Sequence, residues 1–400
     1  MAGTAAHLQR DPHYDPLAPD VIAAPHTVYR RLREHRRVYW HAQLSSWVLT
    51  GYAECRQVLG DTDAFGSDFR RMGEDIPEAL LSVQTLDPPA HGAIRHLLVS
   101  ALHARSHTAI TDTAARLVAE RTAALRGVGR TVDLVGEFAR PLALRTMCGF
   151  LGVTAPDGPW LEELSNAIVR SMDAGLDPSR AEPGNKAKAE LSRMVSGWLE
   201  TADEGGFIDA ARTAHARAPQ VPEAVLANSL RSVFHAGYES VSRLLSNALA
   251  RLVAEPGLLA HAVAEDRLDA LVDELLRLDG PVQAAARVCV ADSEVGGERI
   301  RRGDEVILML AAADRDPAVF ADPDAVDLTR RKGLHLAFGR GAHSCLGAGV
   351  ATLQLRAVLD ALHAAGIVFE AAGLAEYEPT ATLRGLRTLP VTVRATRPTR

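Results

Sequence analysis

A run of helix-forming residues from about Pro222 to Glu255, closed by Pro256-Gly257, constrains the fold more than any other feature of this sequence. At 1.5 Å per residue it spans roughly 50 Å, and the Pro-Gly pair is a strong helix stop. A rod of that length crosses a whole molecule of this size, so the rest of the chain has to wrap around it. Four hundred residues exceed the usual single-core size, which leaves two domains or one large fold that encloses something. In the middle of the run, HAGYES places Gly237 and Ser240 among good helix formers, and such positions are where helices distort.

Around this rod the pattern predicts a helical body with small sheets. Residues 38 to 50, VYWHAQLSSWVLT, hold two short β-branched and aromatic runs that read as a hairpin. From Pro89 to Glu255 the chain is Ala- and Leu-rich at helical spacing, with breaks at PDG (156 to 158), DPS (177 to 179), EPGN (182 to 185) and QVP (220 to 222). The stretch from about Pro159 to Gln220 carries the most breaks and is the candidate for a mobile lid. After Gly280 come short strands: ARVCVA, RIRRGDEVILML and, near the end, TLPVTVRA.

A hydrophobic share of 47% gives ample core material, and a net charge of -6 argues against general nucleic-acid binding. Cys55, Cys148, Cys289 and Cys345 show no C-x-x-C spacing, so neither a zinc site nor a disulfide framework is indicated. Free thiols fit a reducing compartment. With neither an apolar leader nor a run of 18 apolar residues, the expected location is the cytoplasm, without a membrane anchor.

Residues 338 to 347, FGRGAHSCLG, place three glycines and a cysteine just before an apolar helix, GVATLQLRAVLDALHAAG. The glycines free the backbone to approach a flat ligand, and a helix N-terminus favours a thiolate, the form that binds metal. Taken alone, the loop is equally a tight turn before a core helix with an inert cysteine. The whole string, however, resembles the haem-binding signature of the cytochrome P-450 family, F-G-x-G-x-H-x-C-x-G, at every fixed position. That resemblance implies the family's helical prism with small β-sheets as one domain over residues 1 to 400, enclosing one haem b. Cys345 is then the axial ligand to the iron, Phe338 packs beside the sulfur, and the Gly339 and Gly347 backbone belongs to the cofactor cradle.

Further segments resemble the family in the same order. DPPAHGAIR (87 to 95) implies that His91 and Arg95 reach a haem propionate, with Arg287 and His343 as further partners, because buried carboxylates call for cations. Glu274 and Arg277 match the E-x-x-R pair that supports the cysteine loop, although Leu268, Leu271, Val272 and Leu275 form the apolar stripe and periodicity puts the pair outside. The P-x-R-F segment departs, with Ala325 where the family has Arg, and Thr352 likewise stands where the family usually has Arg. AGYES (236 to 240) resembles the oxygen groove, which gives Ala236 and Gly237 the role of leaving room for dioxygen, and Glu239 and Ser240 that of delivering protons. Serine replaces the usual threonine and loses the methyl that fixes its rotamer. On its own, Ser240 is equally a helix serine bonded back to a carbonyl.

Helical offset puts Ser232, His235 and Ala236 on the face of Ser240. By resemblance Val282, Gln283, Ala285 and the segment from Thr382 and Leu383 to Arg387 supply the other pocket walls. His235 is read either as an anchor for a polar substrate group or as a histidine satisfied by a nearby carbonyl. The family implies oxygen insertion from O2 into a small organic molecule, free or on a carrier protein, in secondary-metabolite biosynthesis. Electrons would come from a ferredoxin and ferredoxin reductase. Oxidative coupling or desaturation uses the same haem, and a non-catalytic haem-thiolate sensor is the rival class. The acid and hydroxyl of AGYES, which a mere binder does not need, favour catalysis.

Overall fold

The computed structural model describes residues 11, 14–104, 107–125 and 131–395. Its axis is one continuous α-helix, Glu223–Ala254, with Pro222 and Glu255 as its caps. Gly237 and Ser240 do not break it: helical geometry runs unbroken through both, against the expected distortion. Phe234, Tyr238, Val241, Leu244, Leu245, Ala248 and Leu249 bury one broad face of this helix in the main core. A helix apolar over most of its circumference is stable only when surrounded, so neighbours pack on several sides. Arg140–Leu151 lies along it, as does Ala181–Thr201, which forms a hairpin with Gly158–Ser171.

The stretch expected to be a broken lid is therefore three helices, Gly158–Ser171, Ala181–Thr201 and Phe207–His215. EPGN is not a break but the first turn of Ala181–Thr201, where a proline has no intrahelical N–H bond to lose. Asp157 and Asp177 cap the local starts, accepting from the backbone of Trp160 and Ser179.

The hairpin of the N-terminal region is Val38–His41 with Ser46–Leu49. It does not stand alone. Ser46–Leu49 pairs in parallel with Glu305–Leu308, which pairs antiparallel with Ala285–Cys289 and through it with Phe65–Gly66. A second sheet places Pro390–Ala395 between Thr131–Asp133 and Ile367–Ala371. Both sheets thus join early and late segments of the chain around the helical body. No described helix is long and apolar enough to cross a membrane.

Candidate functional site

Cys345 is the one exposed cysteine; Cys55, Cys148 and Cys289 are buried. Burial pushes the Cys148 thiol up to about 12 and that of Cys289 to about 11, which makes them inert core groups. The loop holding Cys345 is shaped by two glycines with left-handed backbone, Gly339 (φ 63°) and Gly341 (φ 73°). Gly341 also lies against the next layer, where a Cβ would sit 2.4 Å from the carbonyl oxygen of Leu59. The Cys345 N–H donates to the Phe338 carbonyl at 2.8 Å and closes the loop. Next to Gly347 a Cβ would meet nothing within 4 Å, so the loop is open there.

The helix after the loop starts later than expected, at Ala348 with Gly347 as its N-cap. Cys345 therefore lies outside the first turn, and its thiol is raised rather than lowered: burial pushes it up, and the Gly347 N–H and the Arg95 charge only partly offset this. Bound to a metal, this thiol would be held as the thiolate.

Above the loop, cations gather on one wall. Arg95 donates to Ser344 Oγ at 3.1 Å and so ties its helix, Ala90–His103, to the cysteine loop. The rings of His91 and His343 are 4.3 Å apart. Burial, helped by His343 and Arg95, pushes His91 down to about 4, so it is a neutral donor at pH 7. Its Nε2 is buried and unpartnered. Arg287, lowered by burial against the opposing Asp87 charge, donates to the Ala286 carbonyl and forms no ion pair among the described residues. Among the described residues the acid here is Asp87, which the sequence reading did not single out. It faces His343 Nε2 at 3.3 Å and accepts from Arg71 and the backbone of Ser67 and Asp68. Burial opposes its ionisation, but these donors hold it well below the usual carboxylate range. Asp87 is thus already saturated, and an orphaned imidazole nitrogen beside two guanidinium groups without acids suits added carboxylates. These residues fit a haem: Cys345 would hold the iron, and His91, Arg95, Arg287 and His343 the propionates.

Glu274 and Arg277 are buried, side chains 3% and 2% exposed, against the periodic expectation and in line with the resemblance. Arg277 grips both Glu274 oxygens at 2.7 and 2.8 Å. It also donates to the carbonyls of Asp314, Pro323 and Ala325, and its cation lies 5.1 Å from the Phe320 ring centre. Periodicity failed because the layer packed on this side is backbone, whose buried carbonyls need donors. Arg330, five residues beyond the missing arginine, replaces it: its Nε lies 3.3 Å from Glu274 Oε2, which also accepts from the Asp327 N–H.

On the long helix a narrow strip is left uncovered, with Ala236 exposed and Gly237 and Ser240 half-buried amid buried neighbours. Ser240 Oγ donates to the Ala236 carbonyl at 2.6 Å and still faces the opening. Gly237 does not make room for a ligand; a Cβ there would lie 2.6 Å from Met147 Sδ, so the missing side chain admits Met147. Glu239 is buried on the other side of the strip. Its Oε1 meets Arg243 at 2.5 Å and its Oε2 accepts from Ser165 Oγ at 2.6 Å. Burial raises its carboxyl, but the Arg243 charge first, then His235 and Ser165, hold it below the usual range.

The expected polar wall is corrected at three places. Ser232 is buried and bonded back to the Asn228 carbonyl. His235 is buried, its Nε2 is 3.0 Å from Ser165 Oγ, and burial pushes it down to about 4, so it serves the Glu239 network and not a substrate group. Gln283 is core: it accepts from Tyr29 Oη and donates to the Gly280 carbonyl. Val282 and Leu383 meet through an isolated β-bridge, while Ala285 and Thr382 are half-buried. Thr382 donates through its N–H and Oγ1 to Asp173, at the end of the helix Gly158–Ser171. Arg243 could have been found from its i+4 offset to Glu239. Ser165 and Asp173 leave no signal in sequence.

An exposed thiol on a glycine-shaped loop, tied by Arg95 to a wall of cations, together with a long helix carrying an uncovered hydroxyl and a buried acid behind it, fits a haem-thiolate protein. A family model described as Cytochrome P450 matches residues 199–362. The monooxygenase PikC of Streptomyces venezuelae is 30% identical over 393 residues, covering 94% of this chain and 92% of its own. The vitamin D3 dihydroxylase of Streptomyces griseolus is 29% identical over 400 residues, covering 94% and 97%. Among solved structures, CalO2 shares 28% identity at TM-score 0.80, covering 95% of this chain and 98% of that one. P450BioI, solved with a fatty-acyl-ligated acyl carrier protein, shares 25% at TM-score 0.79, covering 94% and 99%. The chain belongs to the cytochrome P450 family: it is a monooxygenase with one haem per chain, and it works with redox partners.

Proposed function

We propose that this enzyme inserts one oxygen atom from O2 into a small organic molecule of secondary metabolism, with electrons passed singly from a ferredoxin and its reductase. The uncovered strip Ala236–Ser240 with Glu239 behind it carries the reading, because a protein that only binds haem has no use for a hydroxyl and an acid there. Residues 1–400 act as one domain in the cytoplasm. When bound through Cys345, the haem supplies oxygen activation, which thiolate donation favours. Ser240 holds a proton at Oγ beside the opening, and Glu239 replenishes it. Val282, Ala285 and Leu383 bound the substrate space.

Relatives set the range of substrates to try: a macrolide precursor for the enzyme named 20-oxo-5-O-mycaminosyltylactone 23-monooxygenase, and a carrier-bound fatty acid for P450BioI. Titration of macrolactones, steroids, fatty acids and carrier-bound acyl chains for a low-spin to high-spin shift tests the class. A panel with no shift, together with no consumption of NADPH through ferredoxin, would overturn it. In Ser240→Ala, NADPH consumption should continue but be diverted to hydrogen peroxide, whereas Glu239→Gln should slow oxygen turnover. The ferredoxin is expected on the cysteine side, near Arg95; Arg105, a candidate docking residue from its acid-free surroundings, lies outside the described residues. The first electron transfer should slow as salt rises, since the Debye length is about 8 Å at physiological ionic strength.

A further inference from the structure

Glu239 Oε2, Ser165 Oγ and His235 Nε2 stand in line at 2.6 and 3.0 Å, and all three residues are buried. Two belong to the long helix, and Ser165 belongs to Gly158–Ser171. The direction of the bonds follows from the groups. A carboxylate only accepts, so the one hydroxyl proton of Ser165 points at Glu239, and Ser165 Oγ is left to accept from His235 Nε2–H. Arg243 occupies Oε1 and leaves Oε2 to this chain. An imidazole, a hydroxyl and a carboxylate bonded in one direction form a proton path, and every member is within hydrogen-bond reach.

We propose that Ser165 and His235 supply protons to Glu239, and that this supply exists only while the helix Gly158–Ser171 is seated. This rests on the role given to Glu239 above. In one step a proton is taken up at Nδ1 of the neutral His235 as its Nε2 proton passes to Ser165 Oγ and the Ser165 hydroxyl proton passes to Glu239 Oε2. The imidazole is left neutral with its proton on Nδ1, and the carboxylate becomes a carboxyl. The proton taken up by His235 comes from solvent water, so charge balances over the cycle. Ser165 is a positioning residue for the acid as well as a link in the path, because no other described hydroxyl is bonded to Oε2. With the helix lifted, the acid has no supply, and reducing equivalents are not spent before a substrate has settled the lid.

The first test needs no catalysis: ¹⁵N NMR of histidine-labelled protein. Wild type should show His235 in the Nε2–H form with a downfield ring proton, and Ser165→Ala should lose that proton signal while Ser165→Thr keeps it. An unchanged His235 signal in Ser165→Ala would overturn the chain whatever the enzyme's substrate proves to be. The second uses the ferric enzyme with the compound giving the largest spin shift in the panel above, plus ferredoxin, reductase and NADPH in H2O and D2O. Ser165→Ala should slow turnover about tenfold with a larger solvent isotope effect, and Ser165→Thr should restore both, at unchanged haem content and spin-shift affinity. Weakened affinity with unchanged rate and isotope effect would show a merely structural lid contact and refute the proposal.

Discussion

Arg277→Ala separates the two readings of the buried pair by a measurable margin. The wild-type guanidinium makes two bonds to Glu274 and three to the carbonyls of Asp314, Pro323 and Ala325, with its side chain only 2% exposed. Removing one partner of such a pair costs about 3 to 5 kcal/mol, against at most about 1 for an exposed pair. Glu274 keeps Arg330 and the Asp327 N–H, which argues for the lower half of that range. A chain of 400 residues unfolds with an entropy of roughly 0.8 kcal/mol/K, so a loss in that lower half converts to a Tm drop of about 4 to 5 °C, compared with about 1 °C for an exposed pair. Differential scanning fluorimetry gives the Tm, and the ratio of haem absorbance to protein gives the loading. Loading should fall together with Tm, because the three carbonyls lie in the segment leading to the cysteine loop. Arg330→Ala, with a longer contact and a more open side chain, should lose less. A normal haem ratio and a Tm within 1 °C of wild type in Arg277→Ala would refute the reasoning.

Cys345→Ala should abolish the red-shifted band of the ferrous CO complex, whereas Cys55→Ala, Cys148→Ala and Cys289→Ala should keep it; the CO-difference spectrum decides. Gly237→Ala puts a methyl 2.6 Å from Met147 Sδ, an overpacking that should cost about 1 to 3 kcal/mol, and Met147→Ala in the same chain should recover part of the lost Tm. His335 Nε2 lies 3.4 Å from Asp273. Burial opposes charging of His335, but the Asp273 bond and the Asp314 charge raise it above its usual 6.5. Folding therefore gains from the charged ring in full below about pH 6.5, and the gain disappears as pH rises through the folded value. The Tm difference between wild type and His335→Gln should accordingly shrink as pH rises above about 6.5, and a constant difference would rule this out.

The long helix, its ends and the terminal strands were legible because Pro222, Pro256 and Gly257 mark limits that no tertiary contact can move. Cys345 was legible because glycines at fixed offsets shape a loop that side chains would block. What escaped the sequence lies where segments far apart in the chain meet. Periodicity alone put Glu274 and Arg277 outside, where the resemblance put them in the core, because backbone carbonyls from residues 314 to 325 form their shell, and carbonyls carry no residue identity. Gly237 was assigned to the ligand side because an α-carbon has two sides and only Met147, ninety residues earlier, reveals which is filled. His235 lay on the right helix, but its partner Ser165 is 70 residues away and has no pattern of its own.

The clasp at the end of the helix Gly158–Ser171 sets how this part of the molecule can move. Asp173 accepts from the backbone of Ala381 and Thr382 and from Thr382 Oγ1, and Arg180 reaches both Asp173 and the Pro379 carbonyl. A helix fixed at one end swings as a lever. Ser165 stands eight residues from that pivot, an arm of roughly 12 Å at 1.5 Å per residue. A tilt of about 10° then displaces Ser165 by roughly 2 Å and breaks its 2.6 Å bond to Glu239, while the far end near Gly158 travels nearly twice as far. The position of the far end and the contact with the acid are thereby geared to a single angle. Substitutions at the pivot change both together, and substitutions along the arm change the second alone.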